Sequence, residues 1–127
     1  MPNGAKPGDR LILTKPIGSQ LAINVMQWLK TDKVKRGKVL GVVSESALLE
    51  AFYRAEEQMA TLSIVGARLV QKYKAHACTD VTGFGILGHA RYLAEAQKEK
   101  VDFVLKRFPI YKNLVKIEGV ARNFRVK

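Results

Sequence analysis

The eleven residues Thr79-Asp80-Val81-Thr82-Gly83-Phe84-Gly85-Ile86-Leu87-Gly88-His89 carry the residue types and spacing that could do chemistry. A short β-branched segment runs into a glycine-rich turn, and the turn opens an apolar helix through Ile86, Leu87, Ala90, Leu93 and Ala94. Glycines at such a junction let backbone N–H groups approach a ligand closely. The unpaired amides and the dipole of a helix start favour an anion, most often phosphate. Asp80 stands just before this turn, where its carboxylate would repel phosphate unless a cation lay between. Mg²⁺ takes one or two carboxylates together with phosphate oxygens, so the residues spell a metal–nucleotide or metal–phosphate site. A plainer reading stands beside it: the glycines make the turn and Asp80 caps the helix. No Gly-Lys-Ser/Thr follows, so this is not a P-loop. Gly83-Phe84-Gly85 also lacks the acidic partner of a dinucleotide fingerprint.

Two elements must hold this turn, a segment leading in and a helix leading out. Along the chain, 1–9 reads as a connector rich in Pro and Gly, and Arg10–Thr14 alternates as a short strand ended by Lys15-Pro16. A helix capped by Ser19 follows to about Lys30. Lys30, Lys33, Lys35, Arg36 and Lys38 surround Gly37 as a basic loop, and Lys38–Val43 is a short apolar stretch. Ser44 caps the next helix, with Glu45 in its first turn. The stripe Leu48, Phe52, Ala55, Met59, Leu62 faces inward. After a bend at Thr61–Ser63 the helix continues to Lys74 with Val65, Leu69, Val70 and Tyr73 inward. The helix after the glycine turn is expected to reach Lys100, Val101–Leu105 to be a strand, and Pro109 to start a last helix with Ile110, Leu114, Val115 and Ile117. Strands with amphipathic helices between them give an α+β, layered α/β class.

The chain has 127 residues, enough for one domain or part of one. No apolar run approaches the ~20 residues of a membrane span, and no signal peptide is legible. One cysteine argues against a disulfide framework and suits a reducing compartment, so the expected location is the cytoplasm. Twenty-two Lys and Arg face eleven Asp and Glu, a balance that attracts polyanions. The basic cluster holds no aromatic residue to stack on a base, which favours a solvated loop over a nucleic-acid site; a nucleotide substrate would account for part of the excess charge.

Thr79–His89 resembles the signature in the C-terminal domain of the selenophosphate synthetase (selenide, water dikinase) family. Ala5-Lys6-Pro7-Gly8-Asp9 with Leu11-Ile12-Leu13-Thr14-Lys15-Pro16-Ile17-Gly18 is a second matching block, and Gln27-Trp28-Leu29 and Val101-Asp102-Phe103-Val104 agree. The likeness covers roughly Pro2–Phe124. It implies a mixed β-sheet with packed helices, of the aminoimidazole ribonucleotide synthetase type, in which 10–127 is a partial C-terminal domain and the N-terminal catalytic domain is absent. It implies a parent that uses ATP to phosphorylate selenide, releasing AMP and phosphate, and that works as a homodimer. Selenide would be captured by the missing N-terminal domain.

By the same resemblance Asp80 is the metal ligand, for Mg²⁺ bridging ATP phosphates. Thr82, Gly83 and Gly85 supply donors to phosphate or the metal shell, or serve turn geometry alone. Lys15 either reaches a phosphate or is a surface lysine at a strand end. No catalytic residue is expected within the chain. His89 and His76 read as packing or hydrogen-bonding residues, and Cys78 as a buried small hydrophobe. The expected chain is a fragment or shortened isoform that is inactive alone.

Overall fold

In the computed structural model, residues 3–122 are described. They form six helices: α1 (Ser19–Thr31), α2 (Lys33–Leu40), α3 (Glu45–Ala60), α4 (Ile64–Lys72), α5 (Gly85–Glu95) and α6 (Leu114–Ala121). The chain divides into two units, one of 1–14 with 63–107 and the other of 15–62 with 108–127.

The second unit holds the apolar core. α1 packs on α3, α2 and α6. Ala22 and Val25 of α1 are buried against Val39 of α2, Val43, and Leu48, Ala51 and Ala55 of α3; Tyr111, Leu114 and Ile117 close the cluster. Such contacts come from the 3–4 residue spacing of apolar side chains on each helix. Ser44 caps α3 as its sequence predicts, its hydroxyl accepting from the Ala47 amide at 3.3 Å. Gly18, not Ser19, occupies the cap of α1. Its φ is +113°, and a Cβ there would lie 2.7 Å from Leu114 Cδ1, so both conformation and packing require glycine.

The basic cluster is not a loop: Lys30 lies in the last turn of α1, and Lys33, Lys35, Arg36 and Lys38 lie in α2. Asp32 caps it, accepting the Lys35 amide at 2.9 Å, which offsets the want of apolar content. That backbone bond, seconded by the Lys35 side chain, holds the Asp32 carboxyl below its usual range. Lys35 also pairs with Asp32 at 3.4 Å and lies over the Trp28 ring, while Arg36 reaches Glu45.

The expected mixed sheet does not form among the described residues. Arg10–Thr14 and Val101–Leu105 carry no strand, and Lys38–Val43 splits between the end of α2 and a turn. What remains is one parallel bridge, Ile17 to Ile110, with Ile17 N–H donating to Pro109 O at 2.9 Å. A strand exists only against a partner ladder, whereas a helix satisfies its own backbone. Pro109 therefore lies in this bridged segment, and α6 begins five residues later at Leu114.

In the first unit the helices are thinly covered. α4 has no buried residue, so the expected inward set fails: Val65, Leu69 and Tyr73 are exposed. Met59 and Leu62, at the end of the stripe expected on α3, are exposed as well. α5 ends at Glu95 rather than near Lys100. The segment read as a connector makes hydrogen bonds from Ala5 onward. Lys6-Pro7-Gly8-Asp9 is a β-turn closed by Asp9 N–H on Lys6 O, with Gly8 at φ +92°, the pattern of a type II turn. Asp9 also holds His76 Nδ1 at 2.8 Å, and Ala5 N–H donates to Gln97 at 2.8 Å.

Candidate functional site

The turn before α5 is built locally. Gly85 N–H donates to Thr82 O at 2.9 Å, and Gly85 takes φ +68°, a conformation that side chains with a Cβ rarely adopt. Phe84 occupies the cap position and offers no side-chain acceptor; no acidic residue lies in the first turn. The first amides of a helix have no intrahelical partner, so α5 starts with donors available to an anion. A Cβ placed on Gly83 or Gly85 would meet no heavy atom within 4 Å, so the space over the turn is open. Gly88 differs: a Cβ there would lie 2.8 Å from Phe84 Cβ. It lets the Phe84 ring lie beside His89 and Tyr92, each 5.8 Å away between centroids.

Asp80 faces solvent, its side chain 74% exposed. Its near neighbours are the Thr79 hydroxyl, 3.4 Å from Oδ1, and His89 Nδ1 at 3.9 Å. His89 is buried, and its Nε2 accepts the Thr82 amide at 3.0 Å, with the Thr82 hydroxyl 3.2 Å away. Asp80, Thr82, Gly83 and Gly85 thus come together around one helix start. Lys15 belongs to the other unit, where its ammonium donates to Gln58 O at 2.8 Å and to Thr61 O. It satisfies the last carbonyls of α3, where a cation complements the helix dipole. Cys78 is exposed rather than buried, in a segment, 75–81, that is neither strand nor helix.

The donor set fits a share of a Mg²⁺ site. A hard cation wants oxygens, and Asp80 presents an accessible carboxylate shortly before the start of α5, which has no side-chain cap. Among the described residues no three His, Cys, Asp or Glu side chains converge as a closed metal cage. Phosphate oxygens, water or further carboxylates would complete the shell.

The chain matches a family of known proteins described as "AIR synthase related protein, C-terminal domain" over residues 6–122. The chain belongs to that family. Relatives of this AIR synthase related domain include selenide, water dikinase 3 of Danio rerio, 46% identical over 97% of the chain and 27% of the relative. Selenide, water dikinase 2 of Drosophila melanogaster is 43% identical over 98% of the chain and 35% of its own length. The probable selenide, water dikinase of Caenorhabditis elegans is 49% identical over 84% and 28%. The chain spans about a quarter to a third of the length of these relatives. His89 is the packed, hydrogen-bonding residue expected of it, and its partner is Thr82. The signal for this pairing is the spacing: Thr82 and His89 are seven apart, a tight turn plus one helical turn, which returns the imidazole to the loop.

Proposed function

We propose that this chain is the C-terminal portion of a selenide, water dikinase, an ATP-dependent phosphotransferase giving selenophosphate, AMP and orthophosphate. Its own contribution is a metal- and phosphate-binding turn. The observation that carries the reading is an exposed Asp80 carboxylate beside the uncapped, sterically open start of α5, in a chain 43–49% identical to proteins of that name.

Phosphoryl transfer rests on positioning and on neutralising charge. Asp80 would hold Mg²⁺, which when bound neutralises phosphate charge. Thr82, Gly83 and Gly85 shape the turn so that the amides of α5 meet phosphate oxygens, and Gly85 allows the sharp entry into the helix. Lys15 enters this reading only by leaving the α3 carbonyls. Selenide capture and the remaining metal carboxylates belong to the rest of the parent protein, which acts as a cytoplasmic homodimer. Segments 10–14 and 101–105, outside the helices here, would be strands of its mixed sheet once given partner strands.

The test is a titration of Mg²⁺·ATP into the chain and into Asp80→Ala, followed by calorimetry. Binding by the wild type and a loss of about tenfold or more in the variant are expected, the scale of removing a charged contact. Equal heats for both would sink the assignment of Asp80. The chain alone should show no selenide-dependent ATP consumption, because one carboxylate does not make a full metal clamp.

An interaction role has one observation in its favour: α4 carries Val65 and Leu69 one turn apart and both exposed. Co-purification with a full-length dikinase, with no nucleotide binding of its own, would support it. The nucleic-acid reading loses ground, since Lys35 and Arg36 of the basic cluster are engaged with Asp32 and Glu45.

A further inference from the structure

His89 is the polar residue buried among the described residues, at 8% exposure, and it touches both parts of the candidate site. The Thr82 amide donates to Nε2 at 3.0 Å. A nitrogen that accepts an N–H carries no proton of its own, so the ring proton sits on Nδ1. Nδ1 is the atom turned toward Asp80, 3.9 Å from Oδ1. The ring is held in this orientation by burial and by Phe84, whose centroid lies 5.8 Å away; Gly88 gives Phe84 the room to lie there.

We infer that His89 is a positioning residue for the metal carboxylate: it pins the Thr82 turn through Nε2 and presents an Nδ1–H donor to Asp80. Carboxylates that ligate metals are themselves held by hydrogen bonds, and loss of such a partner typically weakens metal affinity about 10–100-fold. The 3.9 Å separation is longer than a hydrogen bond, so a small rotation of the exposed Asp80 side chain closes it when the carboxylate takes up a cation. The role rests on the metal reading of Asp80. It requires no change in protonation and no contact between His89 and substrate.

The experiment uses the whole chain and two readouts. The first is the nitrogen NMR of the His89 ring in the wild type, with amide exchange at Thr82. A proton on Nδ1, a bare Nε2 and a protected Thr82 amide are expected; a proton on Nε2 overturns the proposal regardless of any variant. The second is a titration with Mn²⁺·ATP, followed by paramagnetic broadening of the amides of residues 79–85, in wild type, His89→Phe, His89→Gln and Asp80→Ala. His89→Phe should keep its helical circular dichroism, lose Thr82 protection and bind 10–100-fold more weakly. His89→Gln, which restores an acceptor for Thr82, should recover part of the loss. Wild-type affinity in His89→Phe, or Gln and Phe variants equally weak, overturns the positioning role alone. Wild type and Asp80→Ala binding alike removes the metal reading, and this role with it.

Discussion

Asp80 and Asp9 show how differently two exposed carboxylates in one unit are held. Asp80 is held only by a long hydrogen bond, 3.4 Å from the Thr79 hydroxyl to Oδ1, and its side chain is 74% exposed, which leaves its oxygens accessible to a cation. Asp9 is committed: the Lys6 amide donates to it at 2.8 Å and His76 Nδ1 approaches both oxygens. The Lys6 backbone bond first, then the His76 hydrogen bond, holds the Asp9 carboxyl below its usual value of 3.8. A depressed carboxyl stabilises the fold above its unfolded value, and the contribution is lost as pH falls through the folded value. In an NMR titration the Lys6 amide should therefore shift with a midpoint below 3.8, and in Asp9→Asn that step should vanish. A midpoint at or above the free value would show that the turn does not hold this carboxylate. The Lys-Pro-Gly-Asp turn is legible from its residue order, because φ at Pro7 and the freedom of Gly8 are properties of those residues alone. The His76 partner, 67 positions away, is not.

At the scale of elements, helix starts and stops are mostly local. Ser44 and the first-turn Glu45 mark α3, and α1 lies within a residue of its expected span. The failures have local physics too, read with the wrong weight: Asp32 capping a lysine-rich run makes α2 a helix where charge and Gly37 suggested a loop. Two glycines, Gly18 before α1 and Gly37 within α2, should respond oppositely to alanine. Gly18→Ala imposes left-handed strain of roughly 1–2 kcal/mol and drives a methyl toward Leu114, overpacking that costs about 1–3 kcal/mol. Gly37→Ala sits in α2 with nothing within 4 Å and should gain up to about 1 kcal/mol from helix propensity. Urea midpoints with unchanged slopes would measure both. A neutral Gly18→Ala would mean that the α1–α6 packing is looser than drawn.

Over the whole molecule, apolar burial is unevenly distributed. All ten residues of the buried cluster fall in the unit of 15–62 and 108–127, whereas the unit bearing Asp80 has His89 as its buried side chain among the described residues. Resistance to local opening follows buried contact. Native-state hydrogen exchange should therefore find the slowest amides in α1 and α3 and the fastest helical amides in α4. Protection of α4 equal to α1 would contradict this ordering. No helix among the described residues is long and apolar enough to cross a membrane, in line with the absence of a long apolar run in the sequence.

Residue order alone settled what depends on neighbours in the chain: the glycine turn, the acid before it, the capped start of α3 and the span of α1. It also carried the family likeness, because the motifs that make it are short and contiguous. Tertiary structure decided everything that needs a distant partner. It docked Lys15 on the α3 carbonyls, turned His89 back onto Thr82, exposed Cys78 and left segments 10–14 and 101–105 outside any strand. The reason is the range of the forces: a turn or a helix closes its own hydrogen bonds within four residues, while strand pairing and burial depend on what the rest of the chain brings alongside.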